Sequence, residues 1–129
     1  MGISAWTSNA EVLIGSRKVK KAYEAIVESC KSGKLQKASF SAALIQEPSS
    51  VTDMAAFLDL LYYKYEKSRS YWKITDCDMD KMNDEFCGIF EAIAPHVKEG
   101  SYIKIEDEEE CHLLMAFDGK EVKYFGDAY

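Results

Sequence analysis

Residues 100–125 have the period-two pattern and the turn signals of three short strands, and this stretch constrains the fold more than any other feature of the chain. Ile103 and Ile105 alternate with Tyr102 and Lys104, which is the period of two expected of a half-buried strand. Further along, one parity carries the residues Cys111, Leu113, Met115 and Phe117. The stretch therefore predicts an antiparallel β-meander with one apolar face, which the helices before it must cover.

Two turns divide the predicted meander into three strands. The first turn is a run of five acids, which is too highly charged for the interior of a packed strand. These acids are Glu106, Asp107, Glu108, Glu109 and Glu110. The second turn is Asp118-Gly119, because a type I′ hairpin needs positive φ angles that Asp and Gly tolerate. Val122 and Tyr124 then mark the closing strand.

The first half of the chain begins with a predicted strand and a predicted helix. Residues 4–14 alternate as a strand does, and residues 19–30 then place apolar side chains at helical spacing. Ser16 is the predicted N-cap of this helix and Gly33 lies beyond its end. The short apolar run at residues 40–45 predicts a second strand.

A second helix is predicted over residues 51–65, which again carry apolar side chains at helical spacing. Ser50 and Asp53 before it have the spacing of a capping box. Residues 71–75 predict a third strand. The third helix follows that strand and is expected to end just before Pro95.

Asp76 and Asp78 begin a segment that resembles a calcium loop. An EF-hand needs Gly at the sixth loop position and a bidentate Glu at the twelfth, where this chain has Lys81 and Cys87. We therefore interpret the two aspartates as candidate caps for the third helix, whose core face spans residues 79–97.

The predicted order is β-α-β-α-β-α followed by three strands. Helices with one apolar stripe beside a sheet with one apolar face favour an α+β two-layer sandwich, with three helices on one face of an antiparallel or mixed sheet. A ferredoxin-like arrangement is one candidate. Residues 1–129 are predicted to form a single domain, since the length suits one hydrophobic core.

The composition is that of an ordinary globular protein, 47% hydrophobic and 29% charged. No apolar run approaches the roughly 20 residues that a membrane span needs, and residues 1–30 lack the pattern of a signal peptide. The cysteines are scattered without a C-x-x-C pair, as expected of packed thiols in a reducing compartment. They are Cys30, Cys77, Cys87 and Cys111. These features predict a cytoplasmic protein without membrane contact.

The charge is distributed unevenly along the chain, whose net charge is −6. Residues 17–37 contain seven Lys and Arg against two Glu, a net charge of +5. Residues 76–129 contain fifteen Asp and Glu against five Lys, a net charge of −10. Because the total is acidic and no aromatic residues are interleaved with the lysines, direct nucleic-acid binding is not expected.

No residue pattern points to catalysis, to a cofactor or to a metal site. Cys111 and His112 are adjacent, but neighbouring strand residues point to opposite faces and so cannot form a nucleophile–base pair. A Cys and a His that are distant in sequence, for instance Cys87 and His96, could form such a pair, but no pattern supports it. We therefore assign no catalytic and no metal-binding residue.

The outward parity of the meander is unusually apolar. If the odd residues of its middle strand face the core, His112, Leu114 and Ala116 face outward beside Tyr102. Such a face is either covered by the N-terminal strand or left open for a partner. Together with the acidic run it favours a non-enzymatic binding module that engages a basic surface on a protein partner. The predicted partner-binding residues are Tyr102, Glu106, Asp107, Glu108, Glu109, Glu110, His112 and Leu114.

Two alternative functions stay open. The chain could be a small enzyme or ligand-binding domain with a pocket between helices and sheet, built around Cys87, His96 or Cys111. It could also be a homodimeric structural protein that is joined through the outward sheet face. A perturbed Cys or His inside a concave pocket would favour the first, and a concentration-dependent size would favour the second.

Residues 92–103, AIAPHVKEGSYI, are followed by the acidic turn and by a strand that ends in Phe117-Asp118-Gly119-Lys120. This block resembles the C-terminal part of small acidic proteins of Gram-positive bacteria and their mobile elements. In this chain Leu113, Leu114 and Met115 stand where those proteins often carry Trp. The resemblance covers about the last third of the chain and implies a phage-type inhibitor of a host protein, such as a nucleic-acid-handling defence enzyme.

Overall fold

The computed structural model describes residues 3–126, which form six β-strands and four α-helices. The strands are Ala5–Gly15 (β1), Lys64–Lys67 (β2), Tyr71–Asp76 (β3), Tyr102–Asp107 (β4), His112–Phe117 (β5) and Val122–Gly126 (β6). The helices are Val19–Ser32 (α1), Ser41–Ile45 (α2), Met54–Leu60 (α3) and Asp84–Ile93 (α4). The protein is thus of the α+β class, with one open antiparallel sheet in the order β2-β3-β1-β4-β5-β6.

The long strand β1 is the centre of this sheet. It pairs with β3 on one side, where Val12 lies opposite Ile74, and with β4 on the other, where Ala10 lies opposite Ile103. A bulge between Thr7 and Asn9 shifts the register by one residue. Because the paired residues are apolar on the same parity, one face of all three strands is buried.

The hydrophobic core joins this face of the sheet to the helices. Ile14, Ile74, Ile103 and Met115 are each at most 1% exposed, as is Phe90 of α4. The ring of Phe90 packs against three other aromatic rings, at centroid distances of 5.2 to 6.3 Å. These rings belong to Tyr63, Phe86 and Phe117. The aromatic cluster therefore connects α4 to both halves of the chain.

Several sequence-based predictions are confirmed. Residues 4–14 form a strand, α1 ends before Gly33, and the third predicted strand is β3. Helix α4 ends at Ile93, directly before a single 3₁₀ turn that contains Pro95. The three C-terminal strands form the predicted meander, with Met115 and Phe117 buried.

The predicted strand at residues 40–45 is wrong, since the segment forms the short helix α2. Phe40 and Leu44 are both buried, and their spacing of four residues places them on one side of a helical turn. A short apolar run fits a strand or a buried helical turn equally well by periodicity. The two alanines between them favour the helix.

The second predicted helix is too long, because only its middle forms α3. Asp53, and not Ser50 as the predicted capping box requires, is the N-cap of this helix, and its side chain accepts a hydrogen bond from the backbone N–H of Ala56 at 2.8 Å. The chain leaves the helix at Tyr62, whose φ is +60°, and then forms the strand β2. Tyr65 in β2 stacks on Trp72 in β3, with the ring centres 5.6 Å apart, which is a contact between neighbouring strands. In the sequence, Tyr65 nevertheless continues the helical spacing of the apolar residues in α3.

Two predicted N-caps are also wrong. Asn83 caps α4 by accepting from the N–H of Phe86 at 2.8 Å. Neither predicted cap does so, since Asp76 is the last residue of β3 and Asp78 lies between β3 and α4. At the start of α1, Ser16 lies in a 3₁₀ turn, and its hydroxyl donates to the carbonyl of Ser68 at 3.4 Å. That contact joins α1 to the turn between β2 and β3.

Both meander turns differ in detail from the prediction. Strand β4 continues through Asp107 and β5 begins at His112, so that residues 108–111 form the first connection instead of residues 106–110. The second connection has four residues, not two, and the Asp118 side chain accepts hydrogen bonds from the N–H groups of Lys120 and Glu121. Gly119 alone in this connection has a positive φ, of +93°.

Candidate protein interface

The side chains opposite the buried parity of the sheet form a surface that we call the outer face. None of these side chains is fully buried. On the central strand β1 they are Trp6, Asn9, Glu11 and Leu13. On the C-terminal meander they are Tyr102, Lys104 and Glu106 of β4, His112, Leu114 and Ala116 of β5, and Lys123 and Phe125 of β6. The predicted outward parity of β5 is therefore confirmed. The N-terminal strand β1 does not cover this face, because it pairs with β4 within the sheet.

The apolar side chains of the outer face are neighbours in the register. Leu114 lies opposite Lys104 on β4 and opposite Phe125 on β6. Ala116 lies opposite Tyr102 on β4. Phe125 is 48% exposed, which leaves half of an aromatic side chain in solvent. Tyr102, Leu114, Ala116 and Phe125 thus form one continuous strip, which we call the apolar strip.

Tyr102 is held in place by its neighbours on the outer face. The side-chain N–H of Asn9 donates to the Tyr102 hydroxyl oxygen at 3.1 Å. The ammonium group of Lys104 lies 5.6 Å from the centre of the Tyr102 ring, within range of a cation–π contact. A side chain that is fixed before binding loses little conformational entropy when a partner packs on it.

The acidic run, residues 106–110, borders one end of the apolar strip, and one of its carboxylates, Asp107, binds the backbone of the turn. Asp107 Oδ1 accepts hydrogen bonds from the N–H groups of Glu109 and Cys111, at 2.9 and 3.0 Å. Glu110 adopts a φ of +64°, which completes the tight turn. Asp107 therefore shapes the turn, and this role was not apparent from a run of identical charges.

Two other acids of the run contact neighbouring segments. Glu108 Oε1 accepts from the N–H of Ser4 at 3.3 Å, and the N–H of Glu108 donates to the Ser4 carbonyl at 3.1 Å. Glu106 Oε1 lies 3.7 Å from His112 Nε2 on the outer face. Glu109 and Glu110 are exposed at the tip. The structure thus brings all eight predicted residues onto the single hairpin of β4 and β5.

Behind the acidic run lies a groove of about 410 Å³ that the sequence did not reveal. Its apolar wall includes Ile3, Met82 and Leu113, and Lys81 lies at its rim. The loop after β3 reaches this position because the N–H of Ala5 donates to the Asp80 carbonyl at 2.7 Å. This long-range contact has no signature in the local pattern of the sequence.

A larger groove of about 930 Å³ runs between α1 and the segment before α3. Its lining includes Tyr23 and Trp72, with Lys20, Glu24 and Lys67 among the charged residues. The Lys67 ammonium lies 4.5 Å from the centre of the Trp72 ring. The groove was also not predicted, because the segments that form it were assigned to a strand and a longer helix.

The residues proposed for an enzyme site lie in different surroundings. Cys87 interacts with Tyr124, and burial raises the pKa of its thiol. Partial burial, followed by the charges of Lys18 and Lys21, lowers the pKa of His96. Cys111 lines the smaller groove beside the acidic run. Burial outweighs the hydrogen bond with Tyr124 and the charge of Lys34, which favour the thiolate, so the protonated thiol, a poor nucleophile, is the favoured form of Cys87.

The two ends of the sheet differ in charge. The acidic run lies at the end where β1 begins and β3 finishes, since Ala5 pairs with Asp107. At the other end, the N–H of Lys98 donates to the Leu13 carbonyl, which places residues 96–98 close to the start of α1 with its basic residues. The acidic run and the lysines at the start of α1 therefore lie at opposite ends of the sheet.

Within residues 3–126 there is no group of three or more His, Cys, Asp or Glu residues placed to hold a metal ion. In the same part of the chain, every helix is too short or too polar to cross a bilayer. Comparison of the chain with protein-family models, with curated proteins and with solved structures found no match.

Proposed function

We propose that the protein is a non-enzymatic binding module that engages a basic surface of a protein partner through its outer face. The observation that carries this proposal is the apolar strip of Tyr102, Leu114, Ala116 and Phe125, bordered by the acidic run. Interfaces of this kind combine an apolar centre with a charged rim.

The strip and the acidic run would have different roles in binding. Glu109 and Glu110 at the exposed tip attract and orient a basic partner, which mainly accelerates association. Tyr102 and Leu114 become buried in the complex and slow its dissociation. Asp107 acts indirectly, because its hydrogen bonds to the backbone hold the turn in shape.

The more specific form of the proposal is a phage or mobile-element inhibitor of a nucleic-acid-handling defence protein. It is supported by the resemblance of residues 92–103 to small acidic proteins of Gram-positive bacteria. An acidic protein can occupy the basic surface that such an enzyme uses for a phosphate backbone. The proposed location is the cytoplasm, where buried thiols such as Cys30 and Cys77 stay reduced.

A two-layer sandwich is the architecture we propose for this module, with the helices on the buried face of the sheet. Buried residues of all four helices belong to the same core cluster as the inward residues of β1, β3, β4 and β5, which supports this layering. The ferredoxin-like arrangement stays a prediction.

The test is affinity capture from lysates of candidate hosts, with the wild-type protein and charge variants on the matrix. The proposal expects proteins that bind at low salt, elute at high salt and fail to bind the variant E109Q/E110Q. The control variant E24Q/E47Q removes two exposed charges on the helical side. Equal capture by both variants would exclude the acidic run, and capture that needs an added small-molecule substrate would favour an enzyme.

A ligand-binding domain is the second candidate, and the groove of about 930 Å³ favours it. Trp72 lines that groove, so its fluorescence reports binding there once Trp6 on the outer face is replaced by Phe. Saturable quenching by an amphipathic probe such as an anilinonaphthalene sulfonate would support this function. Unchanged Trp72 fluorescence would leave the groove without a ligand of that class.

A further inference from the structure

The two edges of the sheet are protected to very different degrees. The edge strand β2 has four residues, and its charged side chains are Lys64, Glu66 and Lys67. The opposite edge strand β6, Val122–Gly126, contains one charged residue, Lys123. Charged side chains and short length are the usual means of preventing an edge from pairing with another chain. By this criterion β6, with one charged residue in five, is the less protected edge, whereas β2 has three charged residues in four.

The hydrogen bonds of β5 show which backbone groups of β6 face outward. Phe117 exchanges backbone hydrogen bonds with Gly100 and Ser101 on the β4 side, so its pairing with Val122 is of the non-hydrogen-bonded kind. By the alternation of an antiparallel ladder, the N–H and C=O groups of Val122, Tyr124 and Gly126 point away from β5. These three residues offer a regular row of donors and acceptors at the edge.

We propose that a second copy of this chain pairs with β6 in antiparallel orientation, so that the two sheets join into one of twelve strands. All three outward residues bond to the other copy when Tyr124 lies opposite Tyr124 and Val122 lies opposite Gly126, and a shifted register would leave some of these groups unpaired. This register places Lys123 opposite Phe125 on the outer face, twice per dimer. An ammonium group beside an exposed aromatic ring is a favourable cross-strand pair.

The charge distribution favours this orientation over a parallel one. Gly126 lies opposite Leu113, near the end of the sheet that carries the acidic run, and Val122 lies opposite Phe117, near the other end. In an antiparallel dimer the end of one sheet that carries the acidic run therefore lies beside the end of the other sheet that lacks it. The two acidic runs are then at diagonally opposite corners of the joined sheet. For a chain with a net charge of −6 this arrangement reduces repulsion between the copies. It also presents two outer faces on one side of the joined sheet.

The proposed register is tested by charge substitutions at one position, measured by sedimentation equilibrium over a wide range of concentration. We expect wild type to associate into a dimer. F125K places two lysines opposite each other and should weaken dimerisation about tenfold. F125E, the matched variant, places Glu opposite Lys123 and should dimerise at least as tightly as wild type. The charge swap K123E/F125K should restore the association that F125K loses.

Each alternative result contradicts the proposal. A wild type that stays monomeric at every concentration would overturn it. Equal weakening of the dimer by F125K and F125E would also overturn it, because that result indicates face-to-face packing of apolar side chains.

Hydrogen exchange gives an independent measure that does not depend on a variant. The amides of Val122, Tyr124 and Gly126 should become protected as concentration rises, while those of β2 do not. Protection of the β6 amides only when a partner protein is added would assign the edge to that partner instead of a second copy.

Discussion

The hydroxyl of Tyr124 donates a hydrogen bond to Glu91 Oε2 at 2.6 Å, and thereby ties the edge strand β6 to helix α4. The other oxygen of the same carboxylate, Oε1, lies 2.5 Å from the ammonium of Lys34, in the loop after α1. One carboxylate therefore links three separate segments of the chain. Partial burial opposes its ionisation, but the hydrogen bonds from Lys34 and Tyr124 outweigh that effect and lower the pKa of Glu91 below 4.5.

The first prediction concerns the variant Y124F, which removes only the hydroxyl. Because the folded-state pKa of Glu91 is lowered, the network stabilises the protein above about pH 4.5, and this contribution is lost as the pH falls through the folded-state value. Y124F should lower the free energy of unfolding at pH 7 by about 1 kcal/mol. It should also lose less stability on acidification than wild type.

Urea unfolding at pH 7 and at a pH below 4 measures both effects. Tyr62, which is 78% exposed, provides the matched control, since Y62F removes a hydroxyl from a side chain in solvent. Identical unfolding of Y124F and Y62F at both pH values would show that the bond to Glu91 contributes nothing to stability.

The second prediction concerns the aromatic cluster of the core. Phe90 is fully buried among Tyr63, Phe86 and Phe117, so F90A leaves a cavity that those rings cannot fill. We expect a loss of about 3–5 kcal/mol in the free energy of unfolding. F125A, on the outer face, should lose about 1 kcal/mol or less. Chemical denaturation at a low protein concentration compares the two, and a similar loss for both would contradict the assigned core.

The elements that could be predicted from the sequence are those with a sustained local pattern. Strand β1, helix α1 and the C-terminal meander each run over enough residues for the period to be clear. The errors fall where the period is short or coincidental. Residues 40–45 contain one helical turn, and Tyr65 continues the spacing of α3 although it belongs to β2.

The third prediction tests the corrected N-cap of α4. Asn83 accepts a hydrogen bond from the N–H of Phe86, so N83A should lower the free energy of unfolding by about 1 kcal/mol. D78A changes the exposed aspartate that the sequence favoured as the cap, and should have little effect. Thermal and urea unfolding both measure the difference. A larger loss for D78A than for N83A would mean that α4 begins earlier than described.

The outward parity of β5 followed from alternation alone, and so did the position of the acidic run beside it. The grooves did not, because contacts between distant segments form them, such as Ala5 with Asp80. The different roles of the five acids were hidden for a related reason. A carboxylate that binds the backbone and one that lies in solvent have the same letter in a sequence, and only the fold distinguishes Asp107 from Glu109.

The fourth prediction separates those two roles. D107A removes an acceptor of two backbone N–H groups, so it should lower the free energy of unfolding by about 1–2 kcal/mol. E109A removes an exposed charge from the same turn and should leave stability within about 0.5 kcal/mol of wild type. Urea unfolding measures both. Equal stability of the two variants would mean that the turn keeps its shape without the Asp107 side chain.

The fifth prediction separates attraction by charge from anchoring by the apolar strip, and uses a partner captured as described above. L114S removes an apolar side chain at the centre of the outer face and should raise the dissociation constant about tenfold or more, mainly through faster dissociation. E109Q/E110Q should instead slow association and reduce its dependence on salt. The control L60S removes an exposed leucine from α3 and should change neither rate. Surface plasmon resonance at two salt concentrations gives both rates for each variant. If L114S and L60S dissociate at the same rate, the partner does not rest on the apolar strip, and charge alone would have to hold the complex together.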